Sequence, residues 1–162
     1  MLSMLALAIA LSSTPLAQAE APTAGPDAPK PVQAKRLQEE FARSLSFDIQ
    51  SNSENPLELG FTELTSGEWG QPPLAGTAIE PHQTAFYSAG SINPDDALSG
   101  IITFLLPYGD TIRIEFEWAP DTSVTCTVDD SELRAVTVAV ELEQAMGDQP
   151  TCVVLVTDRA VD

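Results

Sequence analysis

Histidine, cysteine and cationic side chains are scarce in this chain. Its 162 residues include one His, two Cys and seven Lys or Arg. The single histidine, His82 in Pro81-His82-Gln83, has no Gly-x-Ser-x-Gly elbow or other nucleophile motif beside it, and it reads as an exposed turn residue. One histidine and two distant cysteines make no zinc signature. Neither Asp95-Asp96 nor Asp129-Asp130 with Glu132 fits the D-x-[DN]-x-[DN]-G calcium loop, so both read as solvated loops. Carboxylates are too abundant for any one pair to mark a glycosidase site. A non-enzyme is expected, with no catalytic residue, metal or cofactor.

The shortage of positive charge excludes a second class. Four of the seven basic residues, Lys30, Lys35, Arg36 and Arg43, lie near the N-terminus. Residues 44–162 hold Arg113, Arg134 and Arg159 against twenty acids, and so carry the full net charge of −17. Such a surface repels phosphate backbones and gains nothing from counterion release, which excludes nucleic acid as partner. Anionic lipid surfaces are excluded on the same ground. A membrane ligand would have to be neutral or zwitterionic, held by shape, stacking and hydrogen bonds. Otherwise the acidity serves solubility alone.

No apolar run reaches the roughly 20 residues that span a bilayer. Residues 1–19 carry no charge, hold an apolar run at 5–11 and end in Ala17-Gln18-Ala19, the small-x-small form of a signal-peptidase site. These features predict a signal peptide, cleavage before Glu20, and a secreted or periplasmic product. In that compartment Cys126 and Cys152 are expected to form one disulfide.

Residues 20–34 contain Pro22, Pro26, Pro29 and Pro31 among small residues and read as a linker. Leu37 and Phe41, spaced i and i+4, predict a short helix over 35–43, so that 20–43 forms a Pro-rich arm. From residue 44 the period becomes two. Leu45, Phe47 and Ile49 alternate with polar residues, as do Leu57, Leu59 and Phe61. Residues 84–88 predict a strand, followed by a polar loop over 90–99. The plainest hairpin joins 101–106 to 111–118 through Pro107-Tyr108-Gly109-Asp110, with Ile112, Ile114, Phe116 and Trp118 on one face. Val136, Val138, Val140 and Leu142 predict another strand, and 152–156 its antiparallel partner. About eight short strands in roughly 120 residues predict an all-β fold, a single antiparallel β-sandwich over 44–162.

Trp69 lies between Gly67 and Gly70, in a loop-rich context where its ring either presents to a ligand or caps the sandwich. Trp118 is in phase with the core face. Tyr87 and Tyr108 are expected outward or in a turn, with hydroxyls free for phosphate contact.

The order Gly67-Glu68-Trp69, Ile79-Glu80-Pro81, Gly100 and Trp118-x-Pro120 resembles the aegerolysin family, small β-sandwich proteins that recognise membrane lipids and often act with a pore-forming partner. The resemblance implies sphingolipid recognition with Trp69 foremost. It also implicates Asp96, four residues before Gly100, as an acidic residue tied to lipid selectivity, and Trp118 at the aromatic end of a core strand. The lipid-binding set under this reading is Trp69, Tyr87, Asp96, Tyr108 and Trp118. The alternative is an exported protein-interaction or structural module of the bacterial envelope.

Overall fold

The computed structural model describes residues 41–160. The expected signal peptide and residues 20–40 of the arm lie outside the described residues. At the start of the described chain no helix forms: Ala42 is a bend whose N–H donates to the Ser91 carbonyl, and Arg43 already belongs to the first strand. Pairing with a neighbouring strand satisfies those backbone groups, which overrides a two-residue helical pattern.

Ten strands follow: β1 Arg43–Asn52, β2 Leu57–Ser66, β3 Glu68–Gln71, β4 Ala78–Ile79, β5 Thr84–Ser91, β6 Leu98–Leu105, β7 Thr111–Trp118, β8 Thr125–Val128, β9 Val136–Glu143 and β10 Thr151–Asp158. They form two five-stranded sheets, β3-β5-β1-β10-β9 (sheet A) and β4-β2-β6-β7-β8 (sheet B). The architecture is an all-β sandwich, antiparallel except where β1 and β10 run parallel, from Ser46 opposite Thr151 to Asn52 opposite Thr157. The parallel pair departs from the purely antiparallel expectation. Local alternation marks a strand, but it says nothing about which distant strand becomes its neighbour.

Alternation does fix which side chains face inward. Along β7 every second residue, Ile112, Ile114, Phe116 and Trp118, is buried and the residues between are exposed. Leu45, Phe47 and Ile49 of β1 and Cys152, Val154 and Val156 of β10 supply the opposing wall. Each such aliphatic or aromatic side chain contributes about 1.5–3 kcal/mol by leaving water. Phe47 and Phe116 meet across the layers edge to face, with ring centroids 4.8 Å apart.

Cys126 on β8 and Cys152 on β10 form the disulfide, with Cα atoms 6.2 Å apart. It ties an edge strand of sheet B to an interior strand of sheet A. The loop it closes is worth about 3 kcal/mol in the chain-entropy model.

The connections collect at two ends. The near end holds the entry to β1, the β2–β3 turn, the β5–β6 loop and the β7–β8 and β9–β10 turns. The far end holds the β1–β2, β4–β5, β6–β7 and β8–β9 connections. The polar loop expected over 90–99 shrinks to 92–97, because Gly90 and Ser91 extend β5 and Leu98 and Ser99 open β6.

Candidate functional site

At the near end the β2–β3 turn and the β5–β6 loop enclose a cleft of about 450 Å³. Gly67 makes the turn with φ of 93°, and a side chain there would collide with Leu98 and the Gly90 carbonyl, so the turn demands glycine. This sharp reversal places Glu68 on the cleft wall. The opposite wall is ordered by Asn93. The Ser91 hydroxyl donates to its carbonyl at 2.8 Å, and the Asp95 N–H donates to its side-chain oxygen at 3.2 Å. The Asp96 N–H donates to the Asn93 carbonyl at 3.1 Å, and the Asn93 side-chain amide donates to Asp96 Oδ1 at 3.3 Å. These bonds fold the loop back so that Asp96 faces the same space as Glu68.

The lining has a definite chemical character. Glu68 and Asp96 line it with Ser66, Ser91 and Asn93, and neither Lys nor Arg lines it among the described residues. Ile92 stands beside them with 62% of its surface exposed. The arrangement accepts hydrogen bonds and attracts positive charge, with an apolar side chain at its rim. Its negative potential is worth about 1 kcal/mol per charge pair at 4 Å in bulk water and about 4 kcal/mol at an effective dielectric constant of 20.

Of the five residues proposed from sequence to bind lipid, Asp96 lines this cleft and is exposed. Trp69 is on β3, adjacent in sequence to Glu68, but its ring turns inward. The centroid lies 6.4 Å from that of Phe47 and 6.2 Å from that of Phe116, so the indole closes the core at the edge of sheet A. Tyr87, expected outward, also faces in. It stands opposite Phe47 in the β1–β5 ladder and is half-buried, and burial pushes the pKa of its hydroxyl up. The exposed aromatic of β5 is Phe86 instead.

Trp118 is 6% exposed, and the guanidinium of Arg43 lies 4.9 Å from its ring centroid. A cation over the indole face plugs the near end between the sheets. Tyr108 is 75% exposed but sits in the β6–β7 turn at the far end. There it lines a second cleft of about 580 Å³ with Asp110, Glu132 and Arg134. Asp96 and Tyr108 therefore belong to opposite poles, and the five residues do not form one site.

Sequence reasoning did not single out Glu68 or Ile92 as ligand contacts. Gly67 before Glu68 was the available signal, since an obligatory turn glycine fixes where the next side chain points.

No family model matches the chain, and no curated protein does. Solved structures share the fold. The crystal structure of IP-1A from Alcaligenes faecalis superposes with a TM-score of 0.59 at 11% identity, covering 78% of this chain and 99% of that one. The lipid binding protein Nakanori superposes with a TM-score of 0.60 at 12% identity, covering 78% of this chain and 79% of that one. At such identities the likeness extends to the fold alone.

Proposed function

We propose that this chain is an exported, non-enzymatic β-sandwich that binds a neutral or zwitterionic membrane lipid, in the manner of aegerolysins. The observation that carries the reading is the cleft walled by Glu68 and Asp96, with no cationic lining residue among the described residues. An ammonium or choline head satisfies the carboxylates, and Ile92 enters the interfacial layer. The acidic surface discriminates against anionic lipid. The fold shared with the lipid binding protein Nakanori supports this reading. A sphingolipid as the preferred ligand and a pore-forming protein as partner follow from the aegerolysin resemblance.

The test is sedimentation of the processed chain with vesicles of phosphatidylcholine, sphingomyelin with cholesterol, ceramide phosphoethanolamine, or anionic lipid. Binding to one neutral sphingolipid mixture, lost on Asp96→Asn with the fold intact, is the expected result. Folded protein that binds none of the mixtures refutes the proposal.

One feature favours the second reading, an exported protein-interaction module. Strand β9 is an eight-residue sheet edge paired without a break to β10, with no Pro or Lys to blunt it. Such an edge accepts an added strand. A partner recovered in one-to-one ratio independently of lipid would favour that reading.

A further inference from the structure

The cleft at the far end, of about 580 Å³, lies between the β6–β7 turn and the β8–β9 connection. Bonds of the fold fix both of its walls before any ligand arrives. In the β6–β7 turn the Gly109 N–H donates to the Leu106 carbonyl at 3.1 Å and the Leu106 N–H to the Asp110 carbonyl at 3.0 Å, with Gly109 at φ of 86°. Opposite, the Ser131 N–H donates to Asp129 Oδ1 at 3.0 Å and the Leu133 N–H to the Asp130 carbonyl at 3.2 Å, while the Leu133 side chain is buried in the core. Asp110 staples the two walls together through the N–H groups of Arg134 and Ala135. A cleft held in this way loses little freedom when it is filled.

The lining suits no ligand of a single charge. Tyr108, the most exposed aromatic side chain of the described residues, lines the cleft with Thr111, Ser131, Glu132 and Arg134. Neither Glu132 nor Arg134 takes part in an ion pair or a side-chain hydrogen bond among the described residues. A carboxylate only accepts hydrogen bonds and a guanidinium only donates them. A cation would meet Arg134, and an anion would meet Glu132, Asp110 and the field of a strongly acidic domain. No group of three His, Cys, Asp or Glu able to hold a metal ion occurs among the described residues. An apolar ligand would strip water from both charges and give nothing back. A neutral ligand whose hydroxyls each donate and accept satisfies both, and a flat C–H face on it would pack against the exposed phenol ring.

We propose that this cleft binds a neutral saccharide, one sugar ring lying on Tyr108 with its hydroxyls shared between Glu132 and Arg134. The cleft volume falls within the range of about 300–1,000 Å³ usual for small-ligand sites. The proposal does not rest on lipid binding, which is placed at the opposite pole.

Two measurements on the processed chain test it: calorimetric titration with maltotriose, chitotriose and lactose, and sedimentation with phosphatidylcholine vesicles carrying lactosylceramide, read as the excess over phosphatidylcholine alone. Saturable binding of at least one probe is expected. Tyr108→Ala should weaken it about tenfold, the order of effect of losing one stacking ring, with an unchanged urea midpoint showing that the fold is intact. Glu132→Gln should weaken it as well, and the near-end variant Asp96→Asn should leave it unchanged. Binding of a free oligosaccharide supports the site with a soluble glycan as its source, and excess capture by the lactosylceramide vesicles alone supports it with a glycolipid head. Folded protein that binds none of these probes overturns the proposal, and so does binding that survives Tyr108→Ala or is lost on Asp96→Asn.

Discussion

The two ends of the sandwich use the same side chain for opposite purposes. At the far end two carboxylates are occupied. Asp110 accepts the backbone N–H groups of Arg134 and Ala135, both at 2.7 Å, and so holds the β8–β9 connection against the β6–β7 turn. Asp158 accepts the Ser53 hydroxyl at 2.6 Å and the Glu54 N–H at 2.8 Å, which fixes the β1–β2 turn to the end of β10. At the near end Asp96 accepts one long bond from its own loop, and no side-chain bond involves Glu68 among the described residues. Asp110 and Asp158 are engaged by donors of the fold, whereas Glu68 and Asp96 keep most of their lone pairs.

Truncating the aromatic behind the cleft should have the largest effect. Trp69→Ala removes a ring packed on Phe47 and Phe116 and is expected to cost about 3 kcal/mol, the lower part of the range for core aromatics because the indole is half-buried. Urea unfolding measures it. A shift of under 0.5 kcal/mol would mean that the indole does not hold this end together.

Neutralising the cleft should separate binding from stability. Glu68→Gln with Asp96→Asn is expected to weaken vesicle binding at least about tenfold while stability stays within about 0.5 kcal/mol, the usual range for surface changes. Unfolding and sedimentation of the same double variant test both halves.

Acid should act through the far end. Backbone N–H groups, Ala135 before Arg134, hold the Asp110 carboxyl below its usual range. The Glu54 N–H and then the Ser53 hydroxyl do the same for Asp158. A depressed folded pKa means that the unfolded chain takes up protons first. The stabilisation is complete above the unfolded value of about 3.9 and is lost as pH falls from there through the depressed values. Asp110→Asn and Asp158→Asn should each lower the urea midpoint at pH 7 and flatten its decline between about pH 4 and 2. An undiminished decline in the double variant would place the acid sensitivity elsewhere.

The smallest effect is expected from Tyr108→Ala. Its ring is exposed at the pole away from the cleft, so vesicle binding and unfolding midpoint should both stay unchanged. Lost vesicle binding in this variant would move the membrane-facing surface to the far end.

Much of this organisation was legible in the residues. Ile112, Ile114, Phe116 and Trp118 announce their strand and its buried face, and Leu45, Phe47 and Ile49 do so for β1, because burial on one side of a pleat forces alternation. The Cys126–Cys152 bridge followed from an even count of cysteines in a chain read as exported. The face of Tyr87 was not legible. Phe86 and Tyr87 are adjacent aromatics, so period two cannot choose between them, and the choice falls to Phe47 across the ladder. The cleft was half legible: Asp96 was singled out, but Glu68 joins it only because β3 and β6 return to the same end.

The first and last strands of the described chain lie side by side at the centre of sheet A, with Ser46 opposite Thr151. A ribbon of this kind has its middle sewn last. Until residues 151–158 arrive, β1 lacks one neighbour, β9 has no strand to pair with, and Cys126 has no partner for its disulfide. Such non-local parallel pairing is intrinsically slow to form. The centre of sheet A and the disulfide are therefore completed only by β10, the last strand of the described chain.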